Sequence, residues 1–196
     1  NLNYQTVLDT LGQELNVDLD YAKYRNRGDN NYNNNIFDAS GEEQIGRRIF
    51  RSITPTTINI WSGKIDYNYT FDESLKLESG FKSSLVETDN NFQFDNLIEG
   101  EWVDNTERSN QFVYRENINA AYVSLNKEYG AFTLQAGLRA EQTISEGNSI
   151  TEQNIVKRDY LDLFPSLFAE FELSEKSDLG FSYGQRIDRP DYASLN

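Results

Sequence analysis

From Leu161 to Leu173 the side chains alternate between two chemistries. Leu161, Leu163, Pro165, Leu167, Ala169, Phe171 and Leu173 fall on one parity; Asp162, Phe164, Ser166, Phe168, Glu170 and Glu172 fall on the other. Successive side chains of a strand point to opposite faces, so such a segment is a β-strand with one apolar and one largely wet face. After Ser174–Ser177 the alternation resumes. Leu179, Phe181, Tyr183 and Ile187 oppose Gly180, Ser182, Gly184 and Arg186. The stretch 159–187 therefore reads as an antiparallel hairpin with a short turn.

The same period recurs upstream. Residues 1–8 read as the end of a strand, and 9–12 as a tight turn. Over 13–25, Leu15, Val17, Leu19 and Tyr21 oppose Asn16, Asp18, Asp20 and Ala22. Over 57–70, Trp61, Ile65, Tyr67 and Tyr69 oppose Lys64, Asp66 and Asn68. Over 75–87, Leu75, Leu77, Phe81 and Leu85 oppose Lys76, Glu78, Gly80 and Lys82. Phe132, Leu134, Ala136, Leu138 and Ala140 oppose Thr133, Gln135, Gly137, Arg139 and Glu141 within the strand 131–145. For the strand 112–125 the parity is open: Ile118, Ala120 and Tyr122 compete with Ala121, Val123 and Leu125 for the apolar face.

The connections sort by length. Those at 9–12, 71–74, 126–130 and 174–177 are short, whereas 26–56, 88–111 and 146–157 read as long polar loops. Within the first, 45–53 reads as an extended segment clear of the main sheet, broken at Pro55. In a meander successive connections fall at opposite ends, so all short turns lie at one end and all long loops at the other. Outer-membrane barrels have that asymmetry, with short periplasmic turns and long extracellular loops. The expected architecture is an all-β, antiparallel up-and-down meander of about eight long strands, part of a transmembrane β-barrel. Tyr67, Tyr69, Phe71, Tyr129, Phe132 and Phe171 lie near strand ends, where an interfacial aromatic girdle would sit.

Composition fits a wall one residue thick. Hydrophobic residues make up only 37% of 196, with 12 Tyr and 12 Phe, and mean hydropathy is -0.71. No apolar run reaches the roughly 18–20 residues of a spanning helix. The chain has no cysteine, histidine or methionine. The usual nucleophile–base pairs and zinc ligand sets are therefore missing, and no enzymatic activity, cofactor or metal is expected. Glu170 and Glu172 lie two apart on one strand face, a spacing also open to a glycosidase dyad, but a charged wet face explains it equally well. A net charge of -14 argues against nucleic acid. Absence of an initiator methionine suggests a processed or excised chain.

The segments FVYRENINAAYVSLNKEYGAFTLQAGLRAEQT, YLDLFPSLFAEFEL and LGFSYGQRIDRPDYASLN, with IDYNYTFDESLKLESGFKSS upstream, resemble the outer-membrane β-barrel domain of TonB-dependent receptors. The likeness is to the large barrel-domain family that follows a carboxypeptidase-regulatory-like and plug region, and it covers most of 1–196. Its best markers are GLRAE at 137–141, LFPS at 163–166 and the tail at 186–196, where Arg189-Pro190-Asp191 is expected to end the last strand. The resemblance implies an interior segment of a barrel of about twenty-two strands, the whole of 1–196 being one partial-barrel unit without plug. It also implies residence in the cell outer membrane, contact with outer-membrane lipid, a plug domain and TonB as partners, and uptake of an imported substrate that is not readable here. Arg139, Glu141, Glu170, Glu172 and Arg186 are then lumen-facing polar candidates. Asp29, Asn30, Asn31, Trp102 and Asp104 are extracellular loop candidates. Oxygen ligands at 29–33 suit calcium, but not in EF-hand spacing, and a solvated loop suffices. Two rivals remain open: a self-contained eight-stranded barrel, which would pair the first strand with the last, and a soluble two-layered β-domain binding glycans or protein.

Overall fold

The computed structural model describes residues 1–10 and 12–187. One antiparallel sheet of nine strands accounts for them: β1 (Leu2–Val7), β2 (Glu14–Phe37), β3 (Gln44–Asp72), β4 (Leu75–Ile98), β5 (Glu101–Asp104), β6 (Asn110–Tyr129), β7 (Phe132–Ser149), β8 (Asn154–Ser174) and β9 (Ser177–Gly184). The order is β1-β2-β3-β4-β6-β7-β8-β9, with the short β5 folded back on β4. Among the described residues β1 pairs only with β2 and β9 only with β8, so the sheet stays open and lacks the first-to-last pairing of a closed eight-stranded barrel. There is one layer, not the two that a soluble sandwich needs.

The register sorts side chains into an outward and an inward face. One outward row runs Val17, Ile65, Phe81, Ala121, Ala140 and Leu163 across six strands. This settles β6: Ala121, Val123 and Leu125 face outward, and Ala120, Tyr122 and Ser124 inward. Burial is inverted relative to a soluble protein. Among the described residues, the buried ones are mostly polar and inward-facing, namely Ser52, Thr88, Glu141, Thr143, Ser145 and Ser149, with only Phe94 and Ala120 apolar. Leu138, Leu163, Phe171 and Phe181 are exposed outward.

The outward apolar band has a definite height. On β3 it runs from Trp61 to Phe71, about 33 Å along the strand and about 25 Å normal to a membrane at ~40° tilt. The predicted aromatics cluster at its short-turn end. Tyr69 lies 6.3 Å from Tyr67 and 4.5 Å from Phe71, and Phe132 faces Phe171. The turns there are tight: the Asp72 carboxylate accepts from Ser74 N–H and Oγ at 2.8 and 2.7 Å, and Gly130 takes a φ of 57° that a side chain would strain.

The expected long loops are corrected by the structure. Most of 26–56, 88–111 and 146–157 is strand, and the actual connections are only 38–43, 99–100, 105–109 and 150–153. β2 and β3 stay paired from Glu14↔Asn68 to Phe37↔Gln44. Residues 45–53 are therefore part of the sheet, and Phe50–Ile53 also pair with β4. Pro55 interrupts only the β4 side, where pairing skips from Ile53 to Thr56, and keeps its place opposite Arg27. Above the band both faces are wet, so the ladder persists while its apolar period disappears. β2 rises roughly 35–40 Å beyond Tyr21 on that estimate. Stacked inward rings hold this extension: Tyr32 on Phe50 at 4.8 Å and Phe50 on Phe94 at 5.0 Å. At the tip, Asp38 accepts from Ser40 Oγ and from Glu42 and Glu43 N–H. Those bonds, the Ser40 one foremost, hold its pKa below the ordinary carboxylate value.

Candidate functional site on the inward face

Two adjacent inward rows carry the charge. The lower runs Asn16, Asp66, Gly80, Tyr122, Arg139 and Phe164; the upper runs Asp18, Lys64, Lys82, Ala120, Glu141 and Asp162. Strand alternation places each of them, because any odd shift in register would send the entire set outward. Lys64 pairs with Asp66, and the Tyr122 hydroxyl donates to the same carboxylate. Arg139 donates to Glu141 Oε2 through Nε at 2.9 Å and through its terminal nitrogen at 2.7 Å, and Glu141 is 5% exposed. Paired in this way, Lys64, Asp66, Tyr122, Arg139 and Glu141 rigidify a polar wall.

Three of the five predicted lumen-facing residues come together. Arg139, Glu141 and Arg186 line one open recess of about 730 Å³ with Phe164, Phe168 and Ser182. Glu170 and Glu172 share that parity on β8 but lie nearer the short turns and do not line the recess. The loop candidates are corrected: Asp29, Asn30 and Asn31 are on β2, and Trp102 and Asp104 are on β5. Alternation sends Asn30 to the face opposite Asp29, Asn31 and Asn33. Trp102 carries the Arg51 guanidinium 4.5 Å above its ring, and Asp104 accepts from Ser109 Oγ at 2.6 Å. The tail 188–196, with Arg189-Pro190-Asp191, lies outside the described residues.

A second recess of about 400 Å³ opens above the band, lined by Phe112, Tyr114, Ser149, Glu152, Asn154 and Arg158 among others. Sequence reasoning missed it because it lies where the apolar period has faded. A usable signal was glycine on the polar parity. Gly80 lies beneath Tyr122, and Gly147 beneath Phe112, whose ring a Cβ at 147 would meet at 3.0 Å. On the inward face Asn90 Oδ1 and Asp162 Oδ2 are buried without a hydrogen-bond partner.

The profile of the outer membrane protein beta-barrel family matches residues 6–196. No curated protein matches the chain. Among solved structures, the ferric citrate transporter FecA in its unliganded form is similar at a TM-score of 0.52 and 14% identity, over 86% of this chain and 27% of FecA. The ferric yersiniabactin uptake receptor FyuA from Yersinia pestis is similar at 0.44 and 12%, over 83% of this chain and 26% of FyuA. The chain thus spans about a quarter of the solved proteins it matches.

Proposed function

Because the chain belongs to the outer membrane protein beta-barrel family, and so resides in the outer membrane, we propose that it forms one stretch of the wall, with no catalytic role, of a larger TonB-dependent receptor that imports a nutrient. The observation that carries this reading is the open sheet, whose outward apolar band continues to both unpaired edge strands. An open edge beneath lipid-facing surface needs neighbouring strands on either side, because unpaired backbone is costly in a bilayer. The fold likeness to FecA over about a quarter of that chain suits a segment of such a wall. Orphaned acceptors at Asn90 and Asp162 suit an inward face covered by a plug domain, the part on which TonB acts.

On this reading the tall hairpins, with Asp29, Asn30, Asn31, Trp102 and Asp104, stand on the extracellular side and meet the substrate first. Arg139, Glu141, Glu170, Glu172 and Arg186 line the lumen. The test is uptake by cells with and without the gene, over a panel of ferric siderophores, vitamins and oligosaccharides, each with and without a protonophore. Loss of energy-dependent uptake of one compound, restored by the full-length gene, is the expected result. Unchanged uptake across the panel, or uptake indifferent to the protonophore, overturns the import reading.

A further inference from the structure

Directly above the apolar band, one outward row reads Lys23, Asn59, Glu87, Arg115, Glu146 and Lys157 across six strands. Most of its charges neutralise one another. Arg115 Nε lies 2.7 Å from Glu87, and Lys157 Nζ lies 2.8 Å from Glu146. β2 is different. Its three consecutive outward positions above Tyr21 are Lys23, Arg25 and Arg27, facing Asn59, Thr57 and Pro55 on β3, none of them acidic. Asp29, next outward on β2, lies 3.1 Å from Arg27. Glu87 and Asp89 are two strands away, held by Arg115 and by Gln111. Lys23 and Arg25 make no ion pair among the described residues. In a chain of 32 acidic and 18 basic residues, that run of cations is conspicuous.

Its height gives it meaning. Tyr21 and Trp61, immediately below, have ring centroids 5.5 Å apart and are 53% and 41% exposed, as interfacial aromatics are. Lys23 lies roughly 5 Å above that pair along the membrane normal, and Arg25 roughly 10 Å. A headgroup layer extends about 5–7 Å beyond the hydrocarbon. Both cations therefore reach the phosphate level with their long side chains. We propose that the outward, unpaired Lys23–Arg25 pair binds the phosphate groups of an anionic lipid in the leaflet at the long-hairpin end. It rests on outer-membrane residence and stands whether or not the protein imports anything.

The test uses the full-length protein in detergent, titrated with phosphorylated lipid A, dephosphorylated lipid A, a zwitterionic phospholipid, and inorganic phosphate as competitor. A combined K23Q/R25Q variant is expected to bind phosphorylated lipid A about twenty-five-fold more weakly, about fivefold for each charge. The R115Q variant, whose cation is already paired, is expected to bind as the native protein does. Equal binding by the double variant, no preference for phosphorylated over dephosphorylated lipid A, or full competition by millimolar inorganic phosphate would each overturn the proposal. Unchanged heat-modifiable gel migration establishes that the variants are folded.

Discussion

Gly80 on β4 sits directly opposite Tyr122 on β6, and the tyrosine ring fills the space that a side chain at 80 would need. A Cβ there would meet the ring at 2.5 Å and Asp66 Oδ1 at 2.7 Å. The ring cannot swing away freely, because its hydroxyl donates to Asp66, which Lys64 also engages. Gly80→Ala is therefore expected to cost about 1–3 kcal/mol as an overpacked contact. In a Tyr122→Ala background the same change should cost clearly less, since only the flexible Asp66 carboxylate then has to shift. Urea unfolding of the full-length protein, followed by tryptophan fluorescence, measures both. An equal cost in both backgrounds would show that the ring is not what excludes a side chain at 80.

That contact also shows where sequence reading reached its limit. The lipid-facing strands were legible because apolar and aqueous surroundings demand different residues on alternate positions, as from Leu161 to Leu173. The same alternation located Arg139 and Glu141. On β6 the rule gave two answers, since Ala120 and Ala121 are both small and apolar; only the register with Gly80 and Arg139 decides between them. Above the band nothing demands alternation. Asn30 and Asn31 occupy opposite faces with the same side chain, and a strand wet on both sides looks like a loop. Tyr32, Phe50 and Phe94, which stack across that region, lie too far apart in sequence to be recognised as partners.

The paired state of the upper segment can be checked with cysteines, since the chain has none of its own. Asn33 faces Ile49 and Asn34 faces Arg48. Neighbouring antiparallel pairs alternate between wide and narrow, so one of the two is the narrow kind. Either Asn33→Cys with Ile49→Cys, or Asn34→Cys with Arg48→Cys, should cross-link in high yield under mild oxidation. Asn34→Cys with Ile49→Cys, on opposite faces, should not. Comparable yields for all three pairs would mean a mobile loop.

Leu138 lies on the outward face near the middle of the β7 band and is 46% exposed, while Ile155, also outward at 53%, lies above the band on β8. Lipid distinguishes these two sites, and water would not. Leu138→Arg is expected to cost about 2–4 kcal/mol and Ile155→Arg about 0–1 kcal/mol. Reversible urea unfolding of the full-length protein in lipid vesicles measures the difference. Equal costs would remove the depth gradient and, with it, the placement of the band in the bilayer.

Tyr114 tests the inward face above the band. Burial, and then the hydrogen bond from its hydroxyl to Glu116 Oε2 at 2.9 Å, push its pKa from the ordinary 10 up to about 12. A raised value means that the fold favours the neutral phenol. The resulting stabilisation is complete below about pH 10 and is lost as pH rises toward about 12. The difference in phenolate absorbance between the native protein and Tyr114→Phe should therefore show a midpoint near 12, well after the solvated tyrosines have ionised. Glu116→Gln should bring that midpoint down only partway, since burial is the larger cause and remains. A native midpoint at 10 would show that water reaches the hydroxyl freely, and the recess formed with Phe112 would then not close around it.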